Sequence, residues 1–129
     1  MTTLSGLRVL IVEDEALIAM LAEDFLIELG VTVIGPATTI DGAIAMIETE
    51  EIDAAVLDIN IRGERSDSVA DALRLRGIPI VCATGYGEGA SDFARGSKII
   101  AKPYSKEKLD QSLRFALSDE PGRTEPVST

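Results

Sequence analysis

Two kinds of apolar spacing alternate along the chain. Continuous aliphatic runs at residues 7–12, 31–35, 53–58, 79–83 and 98–101 have the length and β-branched content of strands buried on both faces of a sheet. Between them, apolar residues recur at three and four. Leu17, Leu21, Phe25 and Leu29 repeat every four residues, with Ile18 beside them and Glu23, Asp24 and Glu28 elsewhere, which predicts an amphipathic helix over 16–29 closed by Gly30. The run from Val31 to Gly35 predicts a strand that Pro36 terminates. Ile40, Ala43, Ile44 and Ile47 predict a second helix, capped by Thr39 or Asp41. A third spans 66–76 on Val69, Ala70 and Leu73, with Arg74 and Arg76 late, and ends at Gly77. Ser105 caps a last helix, whose core face is Leu109, Leu113 and Leu117 and whose first turn holds Glu107. Four glycines within 85–96 limit any helix there, over 91–95, to a short and frayed one.

Strands that alternate with helices in this way predict an α/β fold, a flavodoxin-like (βα)5 doubly wound five-stranded parallel sheet of order 2-1-3-4-5. The length of 129 residues suits one domain, expected over 1–117. Residues 118–129 carry Pro121, Gly122 and Pro126 without apolar period and are expected to form a disordered tail.

Charge narrows the partners. The chain has 12 Lys+Arg against 22 Asp+Glu, a formal net charge of −10, which argues against sequence-independent binding of nucleic acid or anionic membrane. Cys82 is the single cysteine, so no internal disulfide forms, and its apolar neighbours point to a buried, inert thiol. The longest uncharged stretch, residues 29–40, is too short and too broken by glycine and proline to span a bilayer, and the N-terminus lacks the order of a signal peptide. A cytoplasmic location is expected.

The chemistry gathers at strand ends. The first strand stops at Glu13-Asp14-Glu15, and the run 53–58 stops at Asp58; in open α/β sheets such C-terminal tips form the ligand crevice. The predicted topology brings Glu13, Asp14 and Asp58 together and adds Thr84 and Lys102 from the last two strands. Converging carboxylates repel one another and need a cationic partner. An all-oxygen set without histidine fits a hard divalent ion, Mg²⁺ above all. Lys102 suits a phosphoryl oxygen as a point charge, and the Thr84 hydroxyl can donate to another. Such a set implies an aspartyl phosphate at Asp58. Arg62 and Arg65, beside several acids, are read as a solvated surface.

These residues resemble the receiver domains of two-component response regulators. The likeness covers residues 7–117 and rests on five marks in order: Glu13-Asp14, Asp58 within Val56-Leu57-Asp58-Ile59-Asn60, Thr84, Lys102 and Pro103. It implies that Asp58 is the phosphoacceptor. It also implies that Asp14 and Asp58 ligate Mg²⁺ directly, Glu13 through water and Asn60 through its backbone carbonyl, and that Pro103 follows a cis bond. Cys82-Ala83-Thr84-Gly85-Tyr86-Gly87 is similar to the motif of the FAT GUY receivers associated with HWE-type histidine kinases, with Cys82 in place of Phe and Tyr86 directly after Gly85. The resemblance implies a stand-alone response regulator that takes its phosphoryl group from a histidine kinase or phosphotransfer protein. It implies no enzymatic activity beyond self-phosphorylation and autodephosphorylation. Its signal would leave through the face of strand 4, helix 4 and strand 5, by protein contact, onward phosphotransfer or action as a phosphate sink.

One departure bears on switching. Ile99 stands where most receivers carry an aromatic residue three before the lysine, so Thr84, Gly85 and Tyr86, with the glycine-rich segment after them, are expected to take over by ordering. Two alternatives differ in class. A Mg²⁺-dependent phosphatase with an aspartyl-phosphate intermediate, of the haloacid dehalogenase type, would carry a second aspartate where this chain has Asn60, and no substrate cap is evident. A receiver-like interaction module that is never phosphorylated is opposed by the complete acidic set.

Overall fold

The computed structural model describes residues 4–85 and 98–118. Tyr86, the predicted short helix over 91–95 and residues 119–129 of the predicted tail lie outside the described residues, whereas Ser118, expected in that tail, is helical. The elements run β1 (Arg8–Val12), α1 (Ala16–Glu28), β2 (Thr32–Ala37), α2 (Ile40–Thr49), β3 (Ala54–Asp58), β4 (Asn60–Ile61), β5 (Glu64–Arg65), α3 (Asp67–Leu75), β6 (Ile80–Thr84), β7 (Lys98–Ala101) and α4 (Lys106–Ser118). Five strands pair in parallel in the order β2-β1-β3-β6-β7. This is the expected 2-1-3-4-5 sheet, with a small antiparallel β4–β5 hairpin added after β3. Among the described residues no helix is long and apolar enough to cross a membrane.

Alternate side chains of each strand feed opposite layers. Leu10, Val12, Leu57 and Cys82 join one core with Ala43 and Ile47 of α2 and Val69 and Leu73 of α3. Val9, Ile11, Val56 and Val81 join the other with Ala22 and Leu26 of α1 and Leu109 and Leu113 of α4. The thiol of Cys82 is buried, and half-buried Ile99 packs against the first core. Capping follows the sequence on two helices: the Thr39 hydroxyl accepts from the Gly42 N–H at 3.0 Å, and that of Ser105 accepts from the Lys108 N–H at 3.0 Å.

The structure corrects two further expectations. On α1 the buried residues are Ala19, Ala22 and Leu26, whereas Leu17 and Leu21, members of the predicted stripe, are 72% and 43% exposed. A strict four-residue repeat advances about 40° per step around a helix of 3.6 residues per turn, so 17, 21, 25 and 29 spiral off one face. Only Phe25 and Leu29, at its far end, reach the core, and the small alanines let α1 lie close to the sheet. Similarly on α4, Ser112 and Ala116 are buried with Leu109 and Leu113, while Leu117 is only partly covered.

The second correction concerns β2, which runs through Pro36 to Ala37. As an edge strand it has no outer partner to miss the proline N–H. Gly35 carries φ +94°, and a Cβ there would meet the Ala37 nitrogen at 2.7 Å and the Ile11 oxygen at 3.0 Å, so the irregular register of β1 and β2 between Leu10 and Val12 depends on glycine. The segment after Asp58, to which the spacing assigns no element, is a hairpin. Arg62 and Gly63 take φ of 53° and 83° at its tip, the left-handed pair a two-residue hairpin turn requires, and buried Ile61 pins it to the core.

The α1 correction has a stability signature. Leu26→Ala is expected to cost about 2–5 kcal/mol, and Leu17→Ala to change stability by no more than about 0.5 kcal/mol, in urea melts of the two variants; equal losses would put both side chains on the core face.

Candidate functional site

Register sets the rim. Val12 pairs with Leu57, so Glu13 and Asp58 are the next residues along adjacent strands; Thr84 pairs with Ala101, so Lys102 follows one step later. Asp58 pairs with Ala83, and the Ile59 N–H donates to the Ala83 carbonyl at 3.1 Å. The Ser66 hydroxyl, at the start of α3, donates to the Asp58 carbonyl at 2.6 Å, tying the phosphoacceptor candidate's backbone to the next helix. The Asn60 N–H donates to Asp58 Oδ1 at 3.1 Å, the short Asx link that lets a strand end in an aspartate. Its other oxygen, Oδ2, accepts from Lys102 Nζ at 2.8 Å.

The same ammonium reaches Glu15 Oε1 at 2.8 Å and Glu13 Oε1 at 3.2 Å. Glu13 and Asp58 are buried, and carboxylate oxygens of Glu13, Asp14 and Asp58 lie within 4.8 Å of one another. An all-oxygen donor set this close fits a hard divalent cation. Asp14 also accepts the Arg62 N–H at 3.0 Å, and the Arg62 guanidinium donates to the Thr38 carbonyl at 3.0 Å. Arg62 is exposed, as read from sequence, and in addition moors the hairpin over the acids. Both arginines are exposed, and Arg65 pairs with Asp67.

A cleft of about 470 Å³ opens over these groups, and Asp14, Asp58, Asn60, Thr84, Gly85, Lys102 and Pro103 line it. Thr84 is buried and Asn60 exposed. The Lys102–Pro103 bond is cis. Glu13 is buried behind Lys102, which it contacts, and does not line the cleft; Tyr86 is outside the described residues. Sequence reading did not single out three contributors: Glu15, the last of the acidic run after the first strand; Ser66, the start of the third helix; and Arg62. Nothing local marks their long-range partners.

Burial first, then the nearby Asp58 charge, pushes the Glu13 carboxyl up to about 7, against the lowering effect of the Glu15 N–H bond and Lys102. Burial works against a charged Lys102, but hydrogen bonds to Asp58 and Glu15 and the charges of Asp58 and Glu13 outweigh it and hold the ammonium above its ordinary range. Burial also pushes the Tyr104 phenol up, with Glu13 adding to it.

Residues 9–114 match the family model for the response regulator receiver domain. The transcriptional regulatory protein PdtaR of Mycobacterium tuberculosis is 32% identical over 117 residues, which are 86% of this chain and 57% of PdtaR; the chain thus spans little more than half the length of that relative. The solution structure of SdrG from Sphingomonas melonis superposes with a TM-score of 0.78 at 43% identity, covering 91% of this chain and 99% of SdrG. The response regulator PhyR from Brucella abortus gives 0.79 at 30% identity, covering 90% of this chain and 49% of PhyR.

The Glu13 shift predicts a pH dependence. Between the ordinary value of 4.5 and about 7, the folded protein keeps a proton that the unfolded chain has released, so rising pH favours unfolding across that window. With chelator present, the melting temperature is expected to fall as pH rises through it, and Glu13→Gln to flatten the slope; an unchanged slope in that variant would assign the titration to another group.

Proposed function

The chain belongs to the response regulator receiver domain family, and from that premise we propose that it accepts a phosphoryl group onto Asp58 from a histidine kinase or phosphotransfer protein. The observation that carries this reading is the 2.8 Å contact of Lys102 Nζ with Asp58 Oδ2 at the floor of a cleft that also holds Asp14 and Thr84. A carboxylate oxygen of Asp58 forms the new O–P bond as the P–N bond to the donor imidazole breaks, and that electron pair stays on the nitrogen. Lys102 meets one phosphoryl oxygen with its positive charge, and the Thr84 hydroxyl donates to another. Asp14, Asp58, Glu13 and the Asn60 carbonyl would hold Mg²⁺, which when bound supplies charge neutralisation for the transferring group. The protein catalyses only its own phosphorylation and dephosphorylation. Output follows as a change around Thr84 and Gly85 that partner proteins read.

The donor's approach has a physical basis in α1. A protein donor must bring its histidine to Asp58, so its surface rests on the cleft rim. Ile18 lines that cleft, and Leu17, Met20 and Leu21 continue outward from it as exposed apolar residues. Few of the surface-exposed aliphatic residues on a monomer need explanation, but a cluster beside a site marks an interaction face. An HWE-type kinase is the donor class that the Ala83-Thr84-Gly85-Tyr86 motif favours.

Two measurements test this reading. Intact mass after incubation with acetyl phosphate and Mg²⁺ is expected to rise by one phosphoryl group in the wild type and not in Asp58→Asn, with chelator abolishing the gain; a gain retained by Asp58→Asn would move the acceptor elsewhere. Replacing Leu17 and Leu21 together by serine is expected to slow transfer from a phosphorylated histidine kinase about thirtyfold, the scale of an interface hot spot, while leaving acetyl phosphate reactivity intact. Equal slowing with both donors would remove α1 from the docking face.

A further inference from the structure

We propose that Glu15 is a positioning residue that competes with the incoming phosphoryl group for the Lys102 ammonium, and so sets the rate at which Asp58 is phosphorylated. The inference rests on the phosphoacceptor reading of Asp58. An ammonium has three N–H donors. In this structure all three have carboxylates to serve: Asp58 and Glu15 at 2.8 Å each and Glu13 at 3.2 Å. A phosphoryl oxygen can therefore reach Lys102 only when one carboxylate gives way.

Glu15 is the one built to leave. Glu13 and Asp58 are buried, while the Glu15 side chain is 60% exposed. It stands apart from the cluster of Glu13, Asp14 and Asp58 whose oxygens converge. Among the described residues its carboxylate has no second hydrogen-bond partner, and although it occupies the N-cap position of α1 it makes no capping bond. Its side chain instead crosses the cleft mouth to a residue 87 positions away. There it holds the lysine charged and aimed before a donor arrives, and its own negative charge opposes the approach of an anionic donor. An exposed ion pair is weak enough to exchange within one encounter, so the contact restrains phosphorylation without blocking it.

The test uses acetyl phosphate with Mg²⁺ and follows the second-order rate constant of phosphorylation by intact mass in wild type, Glu15→Gln and Glu15→Asp. Glu15→Gln is expected to react roughly two- to fivefold faster, the range an exposed pair can contribute, with an unchanged melting temperature. That gain should vanish in about 1 M salt, where the screening length falls to about 3 Å. Glu15→Asp, which keeps the charge, should stay near the wild-type rate. A Glu15→Gln rate equal to or below that of wild type overturns the inference, as does a gain that survives high salt. No phosphoryl gain in the wild type overturns the phosphoacceptor reading and this inference with it; phosphorylation of wild type without acceleration in Glu15→Gln overturns the inference alone.

Discussion

The Lys102 ammonium holds the C-terminal rim of the sheet together. It follows β7 and reaches back across β6 to Asp58 at the end of β3 and to Glu13 and Glu15 after β1. Without it, buried Glu13 and Asp58 would face each other and Asp14 with like charge. Leaving such groups uncompensated costs about 3–5 kcal/mol. With it, one positive charge serves several negative ones, and the residual negative charge suits a hard divalent cation. Burial, with the Asp58 charge adding to it, pushes the Glu13 carboxyl up to about 7.

That arrangement depends on a sheet covered on both sides. The two cores, one with α2 and α3 and the other with α1 and α4, bury the strands so fully that the polar groups are confined to the strand tips, where the acids, Thr84 and Lys102 share one rim. Rigidity below serves adjustability above. Asp58 is pinned through its own backbone by Ser66 and through one side-chain oxygen by the Asn60 N–H, while its other oxygen faces the cleft in an ion pair with Lys102. The hairpin moored by Arg62 to Asp14 and to the Thr38 carbonyl closes one wall of the cleft with bonds that a change at Asp14 would reach directly.

Much of this was readable from residue order. Strand and helix succession, the caps at Thr39 and Ser105 and the five rim residues Glu13, Asp14, Asp58, Thr84 and Lys102 all follow from local pattern, because strand ends and caps are local in sequence. The α1 stripe was misread because the helix is apolar on more than one side, so spacing alone could not select the buried face; close approach to the sheet selected the alanines. Pro36 was misread as a stop because strand termination by proline depends on whether a partner needs its N–H, and only the edge position of β2 answers that.

The sequence by itself determined the order of elements, the separation of apolar interior from polar strand ends and the identity of the groups on the rim, since each is encoded by the spacing of neighbouring residues. Tertiary structure alone decided which carboxylates share Lys102, that Ser66 serves the backbone of Asp58, that Arg62 spans to Asp14 and that Glu15 crosses to a lysine 87 residues away. Those contacts join segments distant in the chain. Their partners are chosen by the register of parallel strands and by the charge left unbalanced where the strands end, and neither can be read along the chain.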